Sequence, residues 1–258
     1  LANVFQESYT TQVRMFHIHN NYNEPLDNVN DITIENCVVH NGGGQGFFIT
    51  SCDTLRFINC DAYNLCDSLS TLTSYDPGGW GTGFGSYSNN PNAYIYFYGC
   101  RAWNCSDQGF ASNVKGYVEW DHCWSIHNGY FWPSTESATK GSGWKSEVDL
   151  VSYKNTSILQ VYIHNSLAVD NEMQGFNTND GEGDPEFRGH WHNNFSYRNG
   201  HTHVDGTRWG LGYVDFARLP SDTIGIWDHI YCNNLSYNNW GTTSSPVKLY
   251  PGDYLQTG

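Results

Sequence analysis

The stretch Cys100–Phe110 reads CRAWNCSDQGF and contains the two motifs that recur along this chain. In the first motif an anchor residue, here Cys100, is followed two residues later by a small side chain, and an asparagine stands four or five residues after the anchor. In the second motif a glycine precedes an aromatic residue, here Gly109-Phe110, nine residues after the anchor. Self-similarity of this kind at a regular period is the sequence signature of a solenoid.

The first motif recurs in seven copies. Its anchors are Cys37, Cys60, Cys100, Cys123, Ser166, Asn194 and Asn234. Its asparagines are Asn41, Asn64, Asn104, Asn128, Asn171, Asn199 and Asn239. The glycine-aromatic pair also recurs, as Gly46-Phe47, Gly83-Phe84, Gly143-Trp144, Gly175-Phe176 and Gly212-Tyr213.

The repeat predicts an all-β fold, a right-handed parallel β-helix of about seven or eight coils with loop insertions. Cys60 follows Cys37 by 23 residues, and stretches such as Val118–Cys123 alternate with the period of a strand. An anchor and the small residue two positions later share one strand face, so we expect Cys37, Cys60, Cys100 and Cys123 to stack inward as free thiols. The one disulfide worth considering is Cys66–Cys105. The asparagines are expected at turns, where this side chain tolerates left-handed backbone.

Composition restricts the partners of the chain. The formal net charge is −14, which excludes nucleic acid and would repel a polyanionic glycan unless a metal ion or a local cationic patch intervenes. No apolar run has membrane length. We expect a monomer, secreted or at the cell surface, forming one β-helix domain over residues 1–258 whose terminal caps could be missing.

Insertions at 67–81, 130–142 and 180–188 interrupt the repeat and predict a binding face. Next to them, stacking the glycine-aromatic pairs in register produces three columns of outward residues. The residues before the glycine are Gln45, Thr82, Gln108, Ser142 and Gln174. Those after the aromatic residue are Phe48, Gly85, Ala111, Lys145 and Asn177, and two positions further stand Thr50, Tyr87, Asn113, Glu147 and Asn179. Lys145 is the one cation in these columns.

Aromatic residues mark two surfaces, each with two interpretations. Trp80, Trp132 and Trp144 lie in or beside the insertions near Lys145, where they would either contact carbohydrate or anchor the loops. A further column, three residues after each anchor, would either stack between coils or form a platform for sugars; it comprises His40, Tyr63, Trp103, Ile126, Val169, Tyr197 and Tyr237.

Two polar clusters are candidate metal sites. Asp180, Glu182 and Asp184 alternate with glycines, a spacing that lets a loop wrap a hard cation such as calcium, but the full calcium-loop signature is missing and a solvated acidic turn fits the sequence better. His190 and His192 share one strand face and could bind a transition metal.

Several of these runs resemble the right-handed β-helix pectate lyases of polysaccharide lyase family nine. They are GSGWK at 141–145, NSLAVDN at 165–171 and QGFNTN at 174–179, preceded by the coil that contains Cys100–Phe110. The resemblance covers roughly residues 80–200. It implies that Lys145, after the glycine-aromatic pair, is the base that removes the proton beside a uronate carboxylate.

The resemblance also implies a calcium site on the two coils before Lys145, and here the chain departs from the pattern. Thr82, Gln108 and Ala111 stand where carboxylates are expected, which leaves Asp107. Calcium takes about six to eight oxygen ligands, several of them usually charged. We therefore expect a weak calcium site or none on these coils, and consider the loop of Asp180, Glu182 and Asp184 the better candidate.

The function predicted first is a polysaccharide lyase that cleaves a uronate-containing glycan such as pectin by β-elimination, with Lys145 as base. Its substrate would contact Trp80, Trp132, Trp144, Gln108, Asn177 and Asn179. A glycoside hydrolase using Asp107 and Glu147 is one alternative, since hydrolysis needs two carboxylates across the bond. A non-catalytic, carbohydrate-binding or adhesive β-helix is the other.

Overall fold

The structure, a computed structural model, describes residues 14–19, 31–50, 52–67, 78–88, 90, 92–114, 116–131, 144–146, 159–177, 187–200, 213–214 and 230–239. Their regular secondary structure is entirely β, and it comprises 21 strands in three seven-stranded sheets. Within this part of the chain no helix is long and apolar enough to cross a membrane.

Sheet 1 contains β1 (Arg14–His19), β4 (Gln45–Thr50), β7 (Phe84–Ser88), β10 (Phe110–Val114), β13 (Trp144–Ser146), β16 (Phe176–Asn177) and β19 (Tyr213–Val214). Sheet 2 contains β2 (Ile32–Glu35), β5 (Thr54–Ile58), β8 (Tyr94–Tyr98), β11 (Tyr117–Asp121), β14 (Leu159–His164), β17 (Phe187–His192) and β20 (Ile230–Cys232). Sheet 3 contains β3 (Val38–Gly42), β6 (Asp61–Leu65), β9 (Arg101–Cys105), β12 (Trp124–Ile126), β15 (Leu167–Val169), β18 (Phe195–Tyr197) and β21 (Leu235–Tyr237).

Successive strands pass from sheet 1 to sheet 2 to sheet 3 and then return to sheet 1 one coil further on. Every strand pairs in parallel with the equivalent strand of a neighbouring coil; β4, for example, pairs with β7. The fold is therefore the predicted right-handed parallel β-helix.

Aromatic ladders fill the interior. Phe47, Phe84 and Phe110 stack from coil to coil with ring centroids 5.0 and 5.1 Å apart. Opposite them, Phe57 stacks on Phe97 at 5.2 Å. Small side chains occupy the third wall, where Ala62, Ala102, Ser125, Ala168 and Ser196 are fully buried. The small residue two positions after each anchor is what lets the large rings of the other two sheets meet in a narrow coil.

The thiol column is buried at three of its four predicted positions. Cys60, Cys100 and Cys123 are fully buried, and each Sγ lies 3.5 to 3.6 Å from a carbonyl oxygen of the preceding coil. Cys37 is exposed, so that part of the prediction is wrong. The reason is that its flanking strands β2 and β3 are the edge strands of their sheets, so within the described residues a coil covers Cys37 on one side only.

All eight cysteines are free thiols, and the Cys66–Cys105 bridge is not formed. Cys105 pairs in register with Leu65 and is fully buried. Cys66 stands one position further along, where the direction of a strand side chain alternates. The two sulfurs therefore do not face each other.

The single asparagine column predicted from the repeat is two adjacent columns. Asn41, Asn64 and Asn104, four residues after their anchors, have φ of 52° to 55°, and their amides bond to one another on the outside at 3.0 Å. Asn128, Asn171, Asn199 and Asn239, five residues after their anchors, are buried. A shift of one residue reverses the direction of the side chain, which a loose spacing rule cannot resolve.

The buried asparagines form a continuous hydrogen-bonded ladder. Oδ1 of Asn171 accepts the Asn128 backbone N–H at 3.1 Å, and Oδ1 of Asn199 accepts the Asn171 backbone N–H at 3.0 Å. Each Nδ2 donates to a backbone carbonyl of the preceding coil, as from Asn128 to Ala102 at 3.2 Å. The ladder satisfies backbone groups at the corner between sheets 3 and 1, where the main chain turns.

Candidate active site on sheet 1

The outer face of sheet 1 has the predicted register. Cα pairing connects Phe48 to Gly85 and Gly85 to Ala111. It continues from Ala111 to Lys145 and from Lys145 to Asn177. The inward neighbours of this column are the stacked phenylalanines, so the column itself faces outward. Lys145 thus lies on β13, an interior strand of sheet 1.

Sheet 1 is free of acidic residues in an acidic protein. None of its seven strands contains Asp or Glu, whereas Arg14, His17, His19 and Lys145 all lie on them. Sheet 2, by contrast, contains Glu35, Glu119 and Asp121. In a chain of formal charge −14, the described strands of sheet 1 thus add no negative charge to the face that contains Lys145.

At the edge of this face, Thr82, Asp107 and Gln108 form a buried polar cluster. The Thr82 hydroxyl lies 3.0 Å from Asp107 Oδ2 and 3.3 Å from Gln108 Oε1, so its single proton is shared between these two acceptors. The exposed fractions of the three residues are 1%, 6% and 8%. The residues at the positions where the family resemblance implies calcium ligands therefore form hydrogen bonds with one another.

This cluster does not fit calcium. It offers one carboxylate, one hydroxyl and one amide, and the fourth position, Ala111, has no ligand atom. A hard cation prefers about six to eight oxygens, usually with several charges among them. Elsewhere in the described part of the chain no group of three or more His, Cys, Asp or Glu side chains is arranged to hold a metal ion. Asp180, Glu182 and Asp184 lie outside the described residues.

Hydrogen bonds attach the first insertion, residues 67–81, to the β-helix beside this cluster. Ser106 Oγ lies 3.2 Å from the Asp67 carboxylate and 2.9 Å from the carbonyl of Gly78. Burial raises the pKa of Asp67, although hydrogen bonds from Ser106 and nearby backbone groups oppose the rise. Trp80 is 9% exposed. Its burial supports the interpretation of Trp80 as a loop anchor.

The other predicted site residues fall into two groups. Gln108 and Asn177 lie on the same face as Lys145, with 8% and 7% of their surface exposed. Trp144 precedes Lys145 in β13, and its backbone pairs with Phe110 and Phe176, so its position belongs to the column of the inward phenylalanines. Glu147, Trp132 and Asn179 lie outside the described residues, so the separation of Asp107 and Glu147, which a hydrolase would require, stays a prediction.

Residues 4–209 match the family model described as Pel9A-like, right handed beta helix region. The chain belongs to this Pel9A-like family. Its sequence is 28% identical over 219 residues to pectate lyase L of Dickeya chrysanthemi, covering 81% of this chain and 46% of that protein. It is 30% identical over 193 residues to pectate lyase L of Dickeya dadantii (strain 3937), covering 72% of this chain and 40% of that protein. The chain thus spans less than half the length of these curated relatives.

Two solved structures share the fold of this Pel9A-like chain. Pectate lyase Pel9A superimposes with a TM-score of 0.51 at 23% identity, covering 80% of this chain and 46% of that one. A rhamnogalacturonan lyase superimposes with a TM-score of 0.54 at 25% identity, covering 82% of this chain and 54% of that one. These similarities support the β-helix independently of the repeat motifs.

Sequence reasoning missed the first strand of this Pel9A-like face. In β1, Met15 stands where the later coils have glycine, so neither motif identifies it. The register nevertheless pairs Arg14 with Gln45 and His17 with Phe48. The matching apolar pairs Phe16/Ile18 and Phe47/Ile49 were the signal that could have revealed it. Arg14 adds a second full cation to the face of Lys145.

The outward aromatic column of sheet 3 stacks between coils. His40 lies 5.0 Å from Tyr63, and Tyr63 lies 4.3 Å from Trp103, both with interplanar angles of 8°. Tyr197 and Tyr237 lie 5.7 Å apart at 4°. In this arrangement the ring faces are turned toward each other rather than toward solvent, so the geometry favours inter-coil packing over a sugar platform.

The outer face of sheet 2 contains a carboxylate–imidazole cluster that sequence reasoning also missed. His164 lies between two acids, with Nε2 2.7 Å from Glu119 and Nδ1 3.2 Å from Asp121. His192 stacks on His164 at 4.7 Å. Burial lowers the pKa of His192, and the adjacent His164 contributes to the same shift. His190 instead stacks on Tyr162 at 4.4 Å, in a neighbouring column.

Proposed function

We propose that this chain is the catalytic β-helix of a polysaccharide lyase that cleaves an acidic, uronate-containing glycan by β-elimination, with Lys145 as the general base. The observation that carries the proposal is the position of Lys145 at the centre of a sheet face whose strands contain no carboxylate. The family match and the pectate and rhamnogalacturonan lyase relatives support the same reaction class.

In the proposed reaction, the neutral amine of Lys145 accepts the proton from the carbon that bears the uronate carboxylate. The electron pair of that C–H bond forms the new carbon–carbon double bond, and the glycosidic oxygen leaves with its bonding electrons and takes up a proton. The products are an unsaturated uronate and a new chain end. Charge develops on the substrate carboxylate as the proton leaves, so nearby donors stabilise the transition state.

The described strand neighbours of Lys145 suit a base, whereas Glu147, outside the described residues, would oppose it by favouring the ammonium form. A lysine must lose its proton near working pH, and a neighbouring carboxylate would oppose that loss by stabilising the ammonium form. Its paired neighbours Ala111 and Asn177 are uncharged. The amides of Gln108 and Asn177 supply hydrogen-bond donors for substrate oxygens on either side of it. No step of this reaction depends on calcium at the Thr82 cluster.

A non-catalytic glycan-binding β-helix is the second candidate, favoured by the neutral cluster of Thr82 and Gln108 around Asp107. A hydrolase receives less support, because the Asp107 carboxylate already accepts a hydrogen bond from Thr82. In either case we propose that the protein acts outside the cell or at its surface, where such polymers are found.

The deciding experiment incubates the purified chain with polygalacturonate, pectin, rhamnogalacturonan and neutral galactan, each with added calcium and with a chelator. Ultraviolet absorbance of the unsaturated product and reducing ends are followed in parallel. Absorbance and reducing ends that rise together on an acidic polymer support the lyase. Reducing ends without absorbance would indicate a hydrolase, and binding without either signal would indicate a non-catalytic module.

A further inference from the structure

The N-terminal end of the sheet 1 face combines a cation with an aromatic ring. The Arg14 guanidinium carbon lies 4.3 Å from the centroid of the Phe48 ring. Arg14 and His17 are exposed, and His17 Nε2 lies 3.1 Å from Thr50 Oγ1. A guanidinium held over a ring keeps its charge and is oriented in a defined plane, a geometry suited to recognition of a carboxylate.

A buried amide lies beside this pair. Gln45 is 1% exposed, and within the described residues neither Oε1 nor Nε2 of its amide has a hydrogen-bond partner. Buried polar groups are normally satisfied, so such an amide indicates a missing partner such as water or a ligand oxygen. Because Arg14 pairs in register with Gln45, the two side chains belong to the same outward column.

Between this end and Lys145 the Lys145 column itself contains two small residues. Gly85 and Ala111 occupy its two intervening positions. A Cβ at Gly85 would lie 3.2 Å from Phe48 Cδ2, 3.4 Å from Tyr87 Cε2 and 3.6 Å from Gln45 Nε2, so glycine avoids crowding these side chains. The column is therefore low for two coils between Phe48 and Lys145.

We propose that Arg14, Gln45 and Phe48 form a remote subsite that binds the carboxylate-bearing sugar of an acidic glycan lying along the helix axis. Arg14 would pair with the sugar carboxylate, and Gln45 would bond to a sugar oxygen. β1 is four strands and β4 three strands from β13, which places Arg14 about 19 Å and Phe48 about 14 Å from Lys145 at the usual spacing of neighbouring strands. A ligand must therefore be several sugars long to occupy both.

This subsite deepens the proposed function, since it assumes that the same face binds an acidic glycan. It predicts a dependence on ligand length that Lys145 alone would not produce. A long oligogalacturonide should contact Arg14, whereas a disaccharide bound at Lys145 should not reach it. Salt should weaken the contribution of Arg14 to binding, because salt screens an exposed ion pair such as that of Arg14 with the sugar carboxylate.

The test measures binding of a galacturonate disaccharide, a long oligogalacturonide and a neutral galactan by calorimetry, with all variants made in the Lys145→Ala background to prevent cleavage. The variants are Arg14→Gln, Arg14→Lys and the matched control Arg56→Gln. Arg56 is an exposed arginine on sheet 2, paired with Asp31 at 2.7 Å, so its loss changes the net charge equally.

Arg14→Gln should weaken binding of the long oligogalacturonide roughly threefold to fivefold, the size expected for a solvent-exposed ion pair. It should leave the disaccharide unaffected. Arg14→Lys should recover part of the loss, and Arg56→Gln should change nothing. Equal effects of Arg14→Gln and Arg56→Gln, an equal loss for both ligand lengths, or no binding of the long ligand would each overturn the subsite. The proposed lyase fails separately, if the intact chain produces no unsaturated product from any acidic polymer.

Discussion

Thr82 and Asp107, on neighbouring coils, are joined by a hydrogen bond of 3.0 Å between the threonine hydroxyl and carboxylate Oδ2. Both residues are buried at the corner that leads into sheet 1. A buried carboxylate is costly unless it is hydrogen-bonded, and the Thr82 hydroxyl supplies a donor to Oδ2 of Asp107. The pair therefore has a structural role at the position where the family resemblance implies calcium ligands.

Thr82→Val should lower the free energy of unfolding by about 1–3 kcal/mol, because it removes a donor from a buried acceptor while keeping the shape of the side chain. Thr82→Ser retains the hydroxyl and should lose less. Chemical denaturation of the three proteins, each with and without calcium, makes the comparison. If calcium raised the unfolding free energy of the wild type but not that of Thr82→Val, the structural role of Thr82 would be wrong.

Lys145→Ala should abolish elimination and leave the fold intact, since the register places Lys145 in the outward column and substitutions away from the core usually change stability by no more than about 0.5 kcal/mol. Lys145→Arg should be nearly as inactive, because guanidinium stays protonated and cannot accept the proton. Product absorbance measures activity, and circular dichroism measures folding. Arg101→Ala, on sheet 3, is the control and should keep full activity. Substantial elimination by either lysine variant would remove Lys145 from the mechanism.

Asn171→Ala should destabilise the protein strongly, on the order of 3 kcal/mol, because it leaves several buried partners unsatisfied. The Asn171 side chain accepts from the Asn128 backbone at 3.1 Å and donates to the Ser125 carbonyl at 3.2 Å. Asn64→Gly, in the outer column, should cost much less, since glycine tolerates the φ of 54° and the lost amide bonds are accessible to water. Equal midpoints in urea for the two variants would contradict the distinction between the columns.

Alkylation of the native protein should modify Cys37 and Cys232 first, because these two thiols are exposed. The buried thiols should react only after unfolding, since the thiolate is the reactive form and burial opposes it. Burial raises the pKa of Cys52 to about 12. A hydrogen bond with Cys100, together with burial, raises the pKa of Cys60. Mass spectrometry of the native and denatured protein counts the labels, and early labelling of Cys100 or Cys123 would contradict the inward column.

His192 should make the protein less stable as the pH falls. Its folded-state pKa is lowered from 6.5, by burial first and by His164 second, while Asp121 and Glu119 oppose the shift. A lowered histidine pKa contributes stability above the unfolded-state pKa, and that stability is lost as the pH falls through the folded-state pKa. His192→Gln should therefore reduce the decrease in Tm between about pH 7.5 and about pH 5.5. An unchanged decrease would mean that His192 does not titrate in this way.

The sequence by itself determined the architecture, because a solenoid repeats one local solution. Each coil must place a small residue against the narrow wall and an aromatic residue against the opposite one, so Ala102 and Phe110 recur in equivalent form along the chain. The same regularity predicted the column of Ala111, Lys145 and Asn177, since parallel register follows directly from equal spacing.

Only the tertiary structure decided which face an ambiguous residue takes. Asn104 follows its anchor by four residues and lies on the outside, whereas Asn128 follows its anchor by five and is buried. The spacing rule of four or five residues allowed both. The exposure of Cys37 depends on its place at the edge of the sheets, which its own motif does not encode. Likewise the burial of Trp80 follows from how the first insertion packs, a long-range contact with no sequence period.

The candidate site shows the same division. The motif containing Lys145 was readable because it coincides with the repeat, whereas Arg14 was missed because Met15 breaks the motif in β1. The pairing of β1 with β4 places Arg14 beside Gln45 and its guanidinium over Phe48, through hydrogen bonds between strands about thirty residues apart in sequence. Backbone pairing of this kind is nearly independent of side-chain identity, so the fold brings together residues that no local pattern connects.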